Sequence, residues 1–181
     1  MPRASLLERA VSSLDRIRRQ QLVVQAEGYL ELGMPRHALD VLARYGSPES
    51  LSDHALYLQG ESLRALGRFR EALEPLGRAA QGSPESVPTW LALGWCYKRI
   101  GRIDMAIESL EEALAIEPDD ALVHYNLACY WSLANNKRQA LDYLSRAIDL
   151  KDDYRTLVAG ESDFDPIRSD PAFQNLVRVT V

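Results

Sequence analysis

With 181 residues, 46% hydrophobic, 26% charged and a net charge of −5, the chain has the length of one or two domains and the balance of an ordinary soluble globular protein. The acidic balance argues against a nucleic-acid binder, which carries a strongly basic domain. Cys96 and Cys129 make no disulfide framework and no apolar run approaches the ~18 residues of a membrane span, so a reducing cytoplasm without membrane insertion is expected.

In chain order, the first expected element is a helical extension over residues 1–18. Leu7, Ala10, Leu14 and Ile17 recur on one face at three- and four-residue steps. Ser5 and Glu8 have the spacing of a capping box. The segment is Arg- and Ser-rich like a mitochondrial transit peptide, but Glu8 and Asp15 count against that, since such peptides are poor in acids. A structural amphipathic helix is the reading that remains.

From residue 19 the chain repeats with a period of 34, in registers that begin at Arg19, Asp53, Val87 and Ala121. The eighth column reads Ala26, Gly60, Gly94, Ala128, and the twentieth Ala38, Ala72, Ala106, Ala140. Small residues in both let two helices of a hairpin approach closely. The fifteenth reads Gly33, Gly67, Gly101, Asn135, the residue types that most easily turn left-handed, and so marks a tight turn. The twenty-fourth reads Leu42, Leu76, Leu110, Leu144, an apolar filler. The twenty-seventh is small in Ala79, Ala113 and Ala147 but holds Tyr45 in the first register. Pro84 and Pro118 stop the second helices of their registers.

The tail, 155–181, is expected to close the open end of this array, because a terminal repeat has no next neighbour to cover its apolar face. Phe164, Ile167, Phe173, Leu176 and Val177 supply the cover, with Asp170 as N-cap and Pro171 opening a last helix.

No catalytic constellation emerges. The glycines stand alone, in neither a G-x-x-x-x-G-K-[ST] loop nor a G-x-G-x-x-G loop. His37, His54 and His124 lie in different registers, so no metal site or other cofactor is expected. Cys96 and Cys129 fall on neighbouring helices about 8–10 Å apart, too far for a bridge. Arg64, Arg68, Arg70, Lys98, Arg99, Arg102, Lys137 and Arg138 gather near the turns within repeats, and Glu49, Asp53, Glu85, Glu117, Asp119, Asp120, Asp152 and Asp153 near the turns between them. Helix-dipole complementarity explains most of this, but not Arg70, Arg102 and Arg138 at the starts of second helices. Those suggest a basic edge for an acidic segment.

The third register carries Trp90, Leu93, Gly94, Tyr97, Ala106, Leu110, Ala113 and Pro118. It resembles a tetratricopeptide (TPR) repeat, W-x-x-L-G-x-x-Y, then A-x-x-x-F, then P, with Leu110 for Phe. The tail stretch SDFDPIRSDPAFQNLV resembles the closing segment of many bacterial TPR proteins. The resemblance implies an all-α, right-handed solenoid of four helix-turn-helix repeats (19–52, 53–86, 87–120, 121–154) with the 155–181 cap. It further implies a non-catalytic protein-interaction module, an adaptor or chaperone-like scaffold, whose first helices line a concave groove. Carried over by position, the groove takes Tyr57, Glu61 and Arg64, then Leu91, Trp95, Lys98 and Arg99, then Tyr125 and Cys129. Aromatic and Arg side chains of this kind dominate binding hot spots. The carboxylate clamp of one TPR subclass is incomplete, because Val23, Glu27, Tyr57 and Gln59 stand where it needs Lys and Asn. The expected partner is therefore another protein or peptide of unspecified sequence. The alternative is a self-associating assembly scaffold, a homodimer formed through the N-terminal helix.

Overall fold

The structure, a computed structural model, describes residues 6–46 and 50–178, and the side chains among these from residue 13 onward. The Ser5–Glu8 capping box, the side chains of Leu7 and Ala10, and Glu49 lie outside the described residues. All regular structure among the described residues is helical. The chain divides into two compact units, residues 1–83 and 84–181.

The first unit holds α1 (Leu6–Glu31), α2 (Pro35–Leu42), α3 (Asp53–Ala65) and α4 (Phe69–Gly82). The boundary expected after residue 18 falls inside α1, which runs unbroken for 26 residues. Leu22, Ala26, Ala38, Val41, Leu42, Ala55 and Leu58 form its buried centre. α2 has only eight residues against fourteen in α4. Tyr45 explains the difference: its column elsewhere in the chain holds a buried alanine, and a phenol ring cannot enter so close a crossing. The ring instead lies half-buried with the Arg19 guanidinium 5.2 Å from its centre, and Gly46 turns the backbone away at φ +139°.

The second unit holds α5 (Val87–Arg99), α6 (Ile103–Ile116), α7 (Ala121–Leu133) and α8 (Lys137–Leu150), then a closing tail. The tail comprises α9 (Asp153–Leu157), 3-10 turns over Val158–Gly160 and Ser162–Ile167, and α10 (Pro171–Val177). Asp170 caps α10 by accepting from the Ala172 and Phe173 amides at 2.8 and 3.4 Å. Phe164, Ile167 and Phe173 are buried, while Leu176 and Val177 pack at the margin, as the expected cover requires.

Each hairpin bend has the same hydrogen bonds. Arg68 N donates to Leu63 O at 2.9 Å and Gly67 N to Arg64 O at 3.0 Å, with matching bonds from Arg102 to Tyr97 and from Asn136 to Trp131. This is the Schellman pattern, and it needs a left-handed residue at the bend, where Gly67 has φ +73° and Asn135 +58°. The small eighth column is just as local in cause. A Cβ on Gly94 would press on Leu110 at 3.2 Å, and one on Gly60 would collide with Leu76.

The turns that precede α5 and α7 share a second device. Trp90 Nε1 donates to the Pro84 carbonyl, and His124 Nε2, at the same position of the next register, to that of Pro118, both at 2.8 Å. A carbonyl only accepts, so the His124 proton is assigned to Nε2. The cations that open second helices are also locally matched. Arg102 bonds Asp104 at 3.0 Å, Arg68 bonds Glu71 at 2.5 Å, and Arg138 lies 3.9 Å from Asp142. Of the three cations that the helix dipole leaves unexplained, Arg102 and Arg138 thus each lie near a carboxylate.

Candidate functional site

In the first unit, α3 presents His54, Tyr57, Glu61 and Arg64 along one face, because these positions differ by three or four residues. His54 stacks on Tyr57 with ring centres 6.2 Å apart, and its Nε2 lies 3.9 Å from the Glu27 carboxylate of α1. Arg64 grips Glu61 through both carboxylate oxygens at 2.7 and 2.8 Å. Burial, reinforced by the nearby Glu61 charge, raises the pKa of the Tyr57 hydroxyl. This face is an ordered, nearly neutral polar strip, in which Tyr57 is half-buried.

In the second unit the corresponding faces of α5 and α7 have different fates. On α5, Pro88, Trp95 and Arg99 are exposed and Leu91 half-buried. Trp95 is 37% exposed, and every other Phe, Tyr and Trp side chain among the described residues is more buried. On α7, Tyr125 and Cys129 are buried, and the chain's own tail covers them. Tyr154 of α9 stacks on Tyr125 at 4.7 Å, and Phe164 meets the same ring edge-on at 5.9 Å. Burial pushes the Tyr125 hydroxyl and the Cys129 thiol up, with the Asp163 and Glu161 carboxylates adding to both. The sequence expectation that Tyr125 and Cys129 face a partner therefore needs correction: the tail fills that part of the face.

Lys98 is likewise committed. Its ammonium bonds the Asp163 carboxylate of the tail, both side chains being largely shielded from water. It also lies 5.2 Å from the Trp95 ring centre and 5.8 Å from that of Tyr130, favourable for cation–π attraction. Burial raises the Asp163 pKa, and the Lys98 ammonium opposes that rise. Cys129, Glu161 and Asp163 offer ligand atoms within 4.8 Å of one another. The positive charge beside them is the Lys98 ammonium, and the raised thiol pKa favours a protonated sulfur, a poor donor set for a metal. Sequence reasoning missed Asp163 and Glu161 in this arrangement. The one available signal was a tail rich in acids near an array with a lysine on its inner face.

Residues 63–128 match the tetratricopeptide repeat family model. No curated protein sequence matches the chain significantly. Among solved structures, MamA from Desulfovibrio magneticus RS-1, from residue 41 to its end, is similar at a TM-score of 0.70 and 19% identity, over 88% of this chain and 93% of that one. YrrB, described as a TPR protein with an unusual peptide-binding site, is similar at a TM-score of 0.67 and 23% identity, over 75% of this chain and 70% of that one. TTC0263, a thermophilic TPR protein in Thermus thermophilus, is similar at a TM-score of 0.65 and 20% identity, over 82% and 85%. At these identities the likeness speaks to the fold. Among the described residues no helix is long and apolar enough to cross a membrane.

Proposed function

This chain is built of tetratricopeptide repeats, and we propose that it is a non-catalytic module that binds a segment of another protein on the exposed inner face of α5. The carrying observation is Trp95, left 37% exposed while the neighbouring inner-face residues Tyr125 and Cys129 are roofed by the tail. The indole takes the Lys98 ammonium 5.2 Å from its ring centre, and its remaining surface stays open on the same helix as the exposed Pro88 and half-buried Leu91, a setting in which tryptophan is a frequent binding anchor. Arg99 is exposed on the same helix. Leu122, 44% exposed, opens the same face of α7 before the tail covers it. An extended peptide with one bulky apolar side chain fits this strip better than an acidic peptide would, because Lys98 is already held by Asp163. In the first unit, Tyr57 and the paired Glu61 and Arg64 offer polar contacts of the same kind. YrrB, by its description a peptide binder of the same fold, supports the general reading.

The test is capture from native lysate by the wild-type chain and by Trp95→Ala. Loss of specific partners in the variant, at an unchanged melting temperature, supports the proposal, and affinity for a captured partner should fall at least about tenfold. An identical catch refutes it.

A further inference from the structure

An exposed side chain changes rotamer within picoseconds to nanoseconds. A partner that grips such a side chain must still it first, at a cost in affinity. Trp95 is exposed enough to move in this way, but a neighbour limits it. The Lys98 ammonium lies 5.2 Å from its ring centre and 5.8 Å from that of Tyr130, a buried ring that forms a fixed wall. Both distances fall within the reach of cation–π attraction, about 6 Å. A lysine by itself is a poor clamp, because its flexible four-carbon stem carries high rotamer entropy. Here the ammonium is bonded to Asp163, and water is largely kept from both side chains.

Asp163 is itself fixed. Its amide donates to the Glu161 carboxylate at 3.1 Å, inside the 3-10 turn over Ser162–Ile167. The next residue, Phe164, is fully buried and meets the Tyr125 ring edge-on. Of the cations beside the Asp163 carboxylate, Lys98 acts more strongly than Arg99. Parting the pair would leave a shielded charge uncompensated, so the ammonium has little freedom to leave. The constraint therefore runs from the buried Phe164 through Asp163 and Lys98 to the indole. We infer, resting on the reading of the α5 strip as a binding surface, that Asp163 is a positioning residue for Trp95: it holds Lys98 against the indole, so that the docked tail sets the ring's orientation before a partner arrives. Tail docking and ring order then share one contact. A partner that grips the ordered indole also stabilises the docked tail, and the effect is reciprocal.

The test is time-resolved fluorescence anisotropy on the full chain carrying Trp90→Phe and Trp131→Phe, which leave Trp95 as its only tryptophan. In this parent, folded by circular dichroism, the indole should turn with the whole protein. Asp163→Ala should release it into nanosecond or faster motion and raise the amplitude of that motion at least about twofold. Lys98→Met/Asp163→Asn separates positioning from stability. Its unfolding midpoint should stay close to that of the parent, yet its indole has lost the ammonium and should be mobile. Val158→Ala, which deletes buried methyl groups from the tail and alters neither member of the ion pair, should lower the midpoint and leave the indole held. An indole already mobile in the parent, one that stays held in Asp163→Ala or in the double variant, or one freed equally by Val158→Ala overturns the inference. None of these readings needs a partner. Loss of partners in Trp95→Ala with unchanged anisotropy in Asp163→Ala removes the positioning role alone, whereas an identical catch with the expected anisotropy removes the binding strip alone.

Discussion

Lys98→Met removes the ammonium from Asp163 while keeping an unbranched apolar stem against Trp95 and Tyr130. The two side chains are 16% and 10% exposed. Stripping one partner from a fully buried pair costs about 3–5 kcal/mol, and the residual exposure here places the loss near the lower end, about 3 kcal/mol. The sign of its pH dependence follows from Asp163. Burial raises its folded pKa and Lys98 opposes the rise, so removing Lys98 raises it further. A carboxyl whose folded pKa exceeds its unfolded value, about 3.9, holds a proton that the unfolded chain has released. The resulting stability is fully present below the unfolded value and is lost as pH rises through the folded one. The deficit of Lys98→Met should therefore be small near pH 4 and complete near pH 8, and Lys98→Met/Asp163→Asn should recover most of it. Urea unfolding followed by circular dichroism at the two pH values measures both quantities. A Lys98→Met chain within about 0.5 kcal/mol of wild type at pH 8, or one equally weakened at both pH values, would refute the role given to this pair.

Other expectations concern packing and turns. Gly60→Ala should destabilise by about 1–3 kcal/mol through its clash with Leu76; Gly77→Ala, which meets nothing within 4 Å, should stabilise by about 0.5–1 kcal/mol in the same urea titration. Phe164→Ala, at a fully buried site, should cost about 3–5 kcal/mol in the same urea titration. Trp90→Phe and His124→Phe each delete one ring N–H bond to a proline carbonyl and should each lower stability by about 1 kcal/mol in thermal melts.

The helical hairpins were legible because their causes are local. A left-handed bend at Gly67 or Gly101 depends on a few neighbouring residues, and a small residue at Gly94 answers to a side chain sixteen positions on, at Leu110. Repeats at a fixed period make such causes visible as columns. Tyr45 was visible as a break in a column of alanines, but no spacing said that α2 would stop at Leu42. The inner face was legible only as a set of positions. Periodicity says that Trp95, Tyr125 and Cys129 point the same way, but not whether anything lies on top of them.

That question belonged to the tail, whose contacts have no period. Asp163 reaches Lys98 across 65 positions, and Phe164 and Tyr154 close over Tyr125 through aromatic contacts that no spacing rule announces. The sequence alone determined the repeat, its bends and the capping role of the last residues. Tertiary structure alone decided which inner-face residues remain open, because burial depends on where distant segments of the chain come to rest.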